Sequence, residues 1–207
     1  MNFGKVYSAE GAFCLGGLFF IAMAFLADVS QHLAFVDVEP GHDHGGGDIF
    51  IRINIPVMGI ALIAFGLGMY ILNEHRDRTH FIAYVAGLLI LTDGIVHLFA
   101  VSDHINVPLY VAVFAAAAVV QIGGGVLLPF LPRQWDRYWI AFTVALIAIF
   151  AASRSFSLPP LWQQEGIESL GIFSKAVEVV SLFPLVELIK REKILLMGTA
   201  ASGLAGP

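Results

Sequence analysis

Apolar runs long enough to cross a bilayer alternate with short polar breaks from one end of the sequence to the other. Six such segments can be drawn, at 12–36, 53–73, 81–101, 107–131, 138–156 and 168–189. At about 1.5 Å of rise per residue, each reaches across a hydrocarbon core of about 30 Å, the fifth only just. The breaks are short apart from 37–52 and 157–167, which leaves no room for a separate soluble domain. The pattern predicts an all-α, polytopic membrane bundle of six helices over residues 1–193. A small-residue tail over 194–207 is expected to be irregular.

The positions of lysine and arginine orient these spans. With the N-terminus inside, Lys5, Arg76, Arg78, Arg133, Arg137, Lys190, Arg191 and Lys193 all fall on the cytoplasmic side, and Arg52 lies outside. The positive-inside bias then puts both termini in the cytoplasm of a multi-pass cell-membrane protein. The first segment has features of a signal peptide, with Lys5 before an apolar run and Ala22-Met23-Ala24 after it, but is read as a retained span.

Composition supports the class and narrows it. Apolar residues make up 58% of the 207, charged residues 13%, and the mean hydropathy is +0.82. A soluble domain carries about a quarter charged residues. The expected surroundings are therefore lipid and other membrane subunits. A net charge of −5 without a basic stripe argues against nucleic acid. The single cysteine, Cys14, excludes an intrachain disulfide and a thiolate cage.

Against that background the ionisable residues inside the spans stand out. Leu91-Thr92-Asp93-Gly94-Ile95-Val96-His97 carries an acid and an imidazole four residues apart, and Asp103-His104 follow. On a helix Asp93, His97 and His104 lie within roughly 40° of one another around the axis. Asp28 and His32 repeat the spacing in the first span. Ionisable groups at membrane depth are costly and point to function. Two Asp and two His converging from neighbouring helices suit Zn, Fe, Mn, Ni, Co or Cu(II), so Asp28, His32, Asp93 and His97 are the expected metal ligands, with His104 as an additional one. The alternative within each couple is an intrahelical hydrogen bond between acid and imidazole.

Leu26–Val36 and Leu91–Val101 align without a gap at Leu, Asp, His, Leu and Val, which suggests a two-helix internal repeat. The glycine-rich loop Gly41-His42-Asp43-His44-Gly45 offers His42, Asp43 and His44 as an outer capture site for an ion. His32 and His97 are also placed to ligate a b-type haem, with Phe25, Phe35 and Phe99 around it. Arg154, Lys175, Glu178 and Glu187 form a second polar set, for ion pairing or a proton relay. Lys175 and Glu178 have pairing spacing, Arg154 is a candidate partner for Asp28 or Asp93, and Pro184 is expected to kink the sixth span.

The Asp93-x3-His97 pair followed by His104 is similar in part to the membrane metal motif in the C subunit of copper-dependent methane and ammonia monooxygenases, whose last histidine comes after a longer interval. Six spans with a His-rich loop also resemble cation-diffusion transporters, which carry that loop and a soluble domain in the cytoplasm. The first resemblance implies a copper site in a redox complex, the second divalent-metal transport. The leading expectation is a membrane subunit of a redox complex holding copper, zinc or iron in its outer half. A metal or proton transporter, and a structural subunit with buried ion pairs, are the alternatives.

Overall fold

A computed structural model of the chain describes residues 9–34, 50–74, 77–156 and 169–203, and among these it is helical throughout, with no strand. The helices are α1 (Ala9–Ala34), α2 (Ile55–Glu74), α3 (Arg78–Asp103), α4 (Pro108–Leu127), α5 (Asp136–Ser155) and α6 (Ser169–Gly203). A π turn over Phe50–Asn54 leads into α2, and two 3-10 turns, Leu128–Phe130 and Arg133–Trp135, join α4 to α5. Five of these helical stretches, ending with Arg133–Ser155, are long and apolar enough to cross a membrane. The sixth helix, α6, which carries Lys175, Glu178 and Glu187, is not one of the five.

The helix ends follow local chemistry. Asp77 caps α3 by accepting the His80 amide at 2.7 Å, and its carboxylate also meets the His80 ring. Pro108 opens α4, where a missing N–H is harmless. After α4, the Arg133 guanidinium donates to the carbonyls of Leu128 and Leu131 at 2.6 Å each, satisfying acceptors a helix terminus leaves open. In α6 the helix continues through Pro184 rather than breaking there. It also runs on to Gly203, so most of the expected irregular tail is helical, with Met197, Ala200 and Ala201 among the better helix formers.

α3 is the axis of the bundle. It packs along α4 and α6 and also meets α1 and α2, while α1 pairs mainly with α2 and α5 with α6. Glycine sets two of these approaches. A Cβ on Gly17 of α1 would lie 2.4 Å from the Gly59 carbonyl of α2, and one on Gly87 of α3 would lie 2.3 Å from that of Gly125 on α4. Small residues let helix backbones touch in this way, replacing a hydrophobic drive that lipid does not supply. Outward faces are apolar, with Phe19, Leu72, Val119 and Phe183 all above 60% exposed, as a lipid-facing surface requires.

Two apolar cores result. One joins α1, α2 and α3 through Ile21, Ala24, Ile63, Leu67, Leu91, Ile95 and Phe99. The other gathers Ala83, Ala86, Ile90, Leu128, Trp139, Leu185 and Leu188 towards the end of the bundle where Arg137 faces Glu192 at 3.6 Å.

The glycine contact is testable. Gly87→Ala forces α3 and α4 apart and should lower stability by about 1–3 kcal/mol, read as an earlier thermal transition in detergent. Gly123→Ala on the same helix pair meets nothing within 4 Å and should leave the transition where it is.

Candidate metal centre

Each of the two acids predicted inside spans acquires partners, but not the same ones. Asp28 is fully buried, and its carboxylate receives Arg52 Nε at 2.7 Å, Arg52 Nη2 at 3.3 Å and the Ser102 hydroxyl. The same guanidinium donates to Asp103 at 2.7 Å. The π turn widens the chain just where Arg52 must face α1 and α3. One arginine thus ties three helices together.

Ser102 lies about 13 Å along α3 from Asp93 at the usual rise per residue. Asp28 therefore sits at a different depth from Asp93, and one ion cannot take both carboxylates. His104 is corrected for the same reason. It shares a face with Asp93 but lies about 16 Å further along the helix. It caps α3, with Nδ1 2.9 Å from the Ala100 carbonyl and its ring against Tyr110 and Phe114. The His32 side chain and the His42-Asp43-His44 loop lie outside the described residues.

Around Asp93 the fold builds a second polar centre. The Asp93 carboxylate is 1% exposed and accepts the Ser174 hydroxyl of α6 at 2.6 Å and the Gln121 amide of α4 at 2.5 Å. His97, one turn on, places Nδ1 3.1 Å from the Asp93 carbonyl and 3.6 Å from its carboxylate. A carbonyl only accepts, so Nδ1 carries the proton and Nε2 of the neutral ring keeps a lone pair. Glu178 of α6 is also 1% exposed, and one of its oxygens pairs with the Lys175 ammonium. Its other oxygen, Oε2, is buried without a hydrogen-bond partner, as is Gln121 Oε1.

Asp93, His97 and Glu178 each turn a ligand-grade atom to within 4.8 Å of the others. Ligands at 2.0–2.2 Å from a tetrahedral ion stand about 3.3–3.6 Å apart, so the three side chains would have to close by up to about an ångström to hold one. Among the described residues this is the one such group of three or more, and all three members are buried.

The remaining candidates stand elsewhere. Arg154 lies on α5 beside Phe150 and Ser153. Its guanidinium lies 3.8 Å from the centre of the Phe150 ring and donates to Ser153 at 2.8 Å, while Arg52 pairs with Asp28. Glu187 pairs along the helix with Arg191 at 3.0 Å and is half-exposed. Gln121, Ser174, Arg52 and Ser102 were missed in the sequence. Gln121 had a signal, as the lone amide in a long apolar run, whereas a serine in a span carries none.

Residues 73–188 match a family of unknown function, DUF7475. The chain belongs to that family. No curated protein and no solved structure matches it. The DUF7475 segment contains the whole Asp93 centre, from α3 to Glu178, whereas Asp28 and Arg52 precede it.

The Arg52 clamp makes a stability prediction. Arg52→Ala strands a buried carboxylate and should cost roughly 3 kcal/mol. Adding Asp28→Asn to it should recover most of the loss, measured by denaturant unfolding in micelles.

Proposed function

We propose that this protein is a six-span membrane subunit, with both termini cytoplasmic, that holds one transition-metal ion in its outer half between α3 and α6. The observation that carries the reading is the convergence of Asp93, His97 and Glu178 in an otherwise apolar interior, with Glu178 Oε2 left without a partner. A buried acceptor with nothing to accept costs about 1–3 kcal/mol, more when charged, and a cation removes that cost. The His97 ring supports the reading too, since ligating histidines commonly give their other N–H to a carbonyl or carboxylate.

Charge balance says what such an ion must displace. With both carboxylates ionised, Asp93 and Glu178 carry two negative charges against one positive on Lys175, and either a cation or a proton shared between the two neighbouring carboxyls would balance them. A divalent ion supplies one more than needed, and it competes with the ammonium for Glu178. The Lys175 Nζ lies 5.4 Å from the centre of the Phe150 ring, which the Arg154 guanidinium already faces at 3.8 Å.

Holding fits better than passing. Towards the Arg137–Glu192 end, the centre is followed by the buried apolar residues Ile90, Leu128, Trp139, Leu185 and Leu188. A transport path would need ligand-grade groups through that layer, and the next fully buried carboxylate, Asp136, stands beyond it near Glu192. A caged ion held by carboxylate and imidazole suits a membrane redox complex, and that assembly is the finer form of this proposal. A b-type haem in place of the ion would need the His32 ring beside His97, whose neighbours among the described residues are the Asp93 and Glu178 carboxylates.

Elemental analysis of the purified protein should find about one metal ion per chain, lost in Asp93→Asn, His97→Ala and Glu178→Gln but kept in Asp28→Asn. A metal-free wild type, prepared without chelators and still metal-free after loading, would end the reading. Lys175→Gln should tighten binding of a divalent ion at least tenfold, by removing a like charge a few ångströms away. Equilibrium dialysis against the metal measures it, and weaker binding would show that the ammonium does not compete.

A further inference from the structure

Gln121 turns the one amide of α4 into the centre of the bundle, where the residue is 2% exposed. Its position is fixed from two sides. Gly94 of α3 lets α4 come close, since a Cβ there would lie 2.8 Å from the Gln121 Cβ. The amide Nε2 then donates to the Asp93 carboxylate at 2.5 Å.

That bond decides which end of the amide is which. A carboxylate accepts, so the donor faces Asp93 and the other atom is the carbonyl oxygen. Oε1 is buried and has no hydrogen-bond partner, in the same interior as the unpartnered Glu178 Oε2. The Gln121 side chain also interacts with the His97 ring, through a contact that falls short of ordinary hydrogen-bond geometry at Oε1. Two lone-pair oxygens without donors, beside an imidazole and a second carboxylate, form a set of electron donors that lacks an acceptor.

We infer that Gln121 Oε1 is the fourth donor to the proposed ion, and that the site takes an oxygen-preferring divalent ion of the manganese(II) or iron(II) class in preference to copper(I). The inference rests on the metal reading above and specifies its ligand. Three oxygens and one imidazole, with no sulfur, match ions that favour carboxylate, carbonyl and imidazole, whereas copper(I) selects thiolate and thioether. The amide oxygen adds a donor without adding charge. It therefore completes the coordination of an ion whose charge Asp93 and Glu178 already offset.

The test titrates the detergent-purified full chain, under anaerobic conditions, with Mn(II), Fe(II) and Cu(I), following bound metal by equilibrium dialysis and helix content by circular dichroism. The wild type should bind one equivalent of Mn(II) or Fe(II) more tightly than Cu(I). Gln121→Leu should weaken Mn(II) binding about tenfold or more, and Gln121→Met should move the preference towards Cu(I). Gln121→Glu keeps an oxygen at the position and should retain Mn(II), which covers the case in which the leucine variant does not fold. Wild-type Mn(II) affinity in both the leucine and methionine variants would overturn the role of Gln121. A wild type that prefers Cu(I) would overturn the ion class. Both of those outcomes leave the metal reading standing, whereas a wild type that binds none of the three ions removes that reading and this inference together.

Discussion

A carboxylate at the depth of Asp93 has to be surrounded by donors before any helix can close over it, because lipid offers none. The donors come from α4 and α6, through Gln121 and Ser174. That requirement accounts for the architecture around α3. α4 approaches at Gly87 and Gly94, so the amide reaches the carboxylate, and α6 brings its polar face inward. The packing of the central three helices is the solvation shell of one acid.

The two buried acids show how differently a bilayer protein can treat the same residue. Asp28 is fully buried, yet it is held by a guanidinium and a hydroxyl, with the cation shared by Asp103. Such a network is a fastener: it ties α1, the π turn and α3 together near one end of the bundle. The Asp93 centre has as many polar groups but leaves two oxygens without donors. Incomplete satisfaction calls for an explanation, and the Asp93 centre shares it with Asp136, whose two buried carboxylate oxygens also lack hydrogen-bond partners.

The helices were legible in the sequence because length and hydropathy are one-dimensional properties, and five of the six are long and apolar enough to cross a membrane. Each expected segment corresponds to a helix, with ends displaced by a few residues and α6 running further. Asp93, His97 and Glu178 were visible as ionisable residues in apolar surroundings. What failed was the joining of Asp28 and His104 to them. Matching angles around a helix say nothing about depth, and about 1.5 Å of rise per residue carried both to another level. Arg52 was assigned to the outer surface by charge bias, although a π turn directs it to Asp28. Gln121 and Ser174 became partners only through helix packing, which spacing along the chain does not encode.

The two hairpins compared in the sequence can be set side by side in the packing. α1 with α2 and α3 with α4 each close on a glycine–glycine contact, and each hairpin carries one buried Asp on its first helix. Their fates separate at the second helix. In the first hairpin a guanidinium preceding α2 neutralises the acid, so nothing further is needed there. In the second, α4 offers only a neutral amide, and the charge is left for α6 to balance with Lys175, which comes with Glu178. The charge beside Asp93 is therefore set by two choices, the neutral amide that faces it from the returning helix and the acid–base pair that α6 brings.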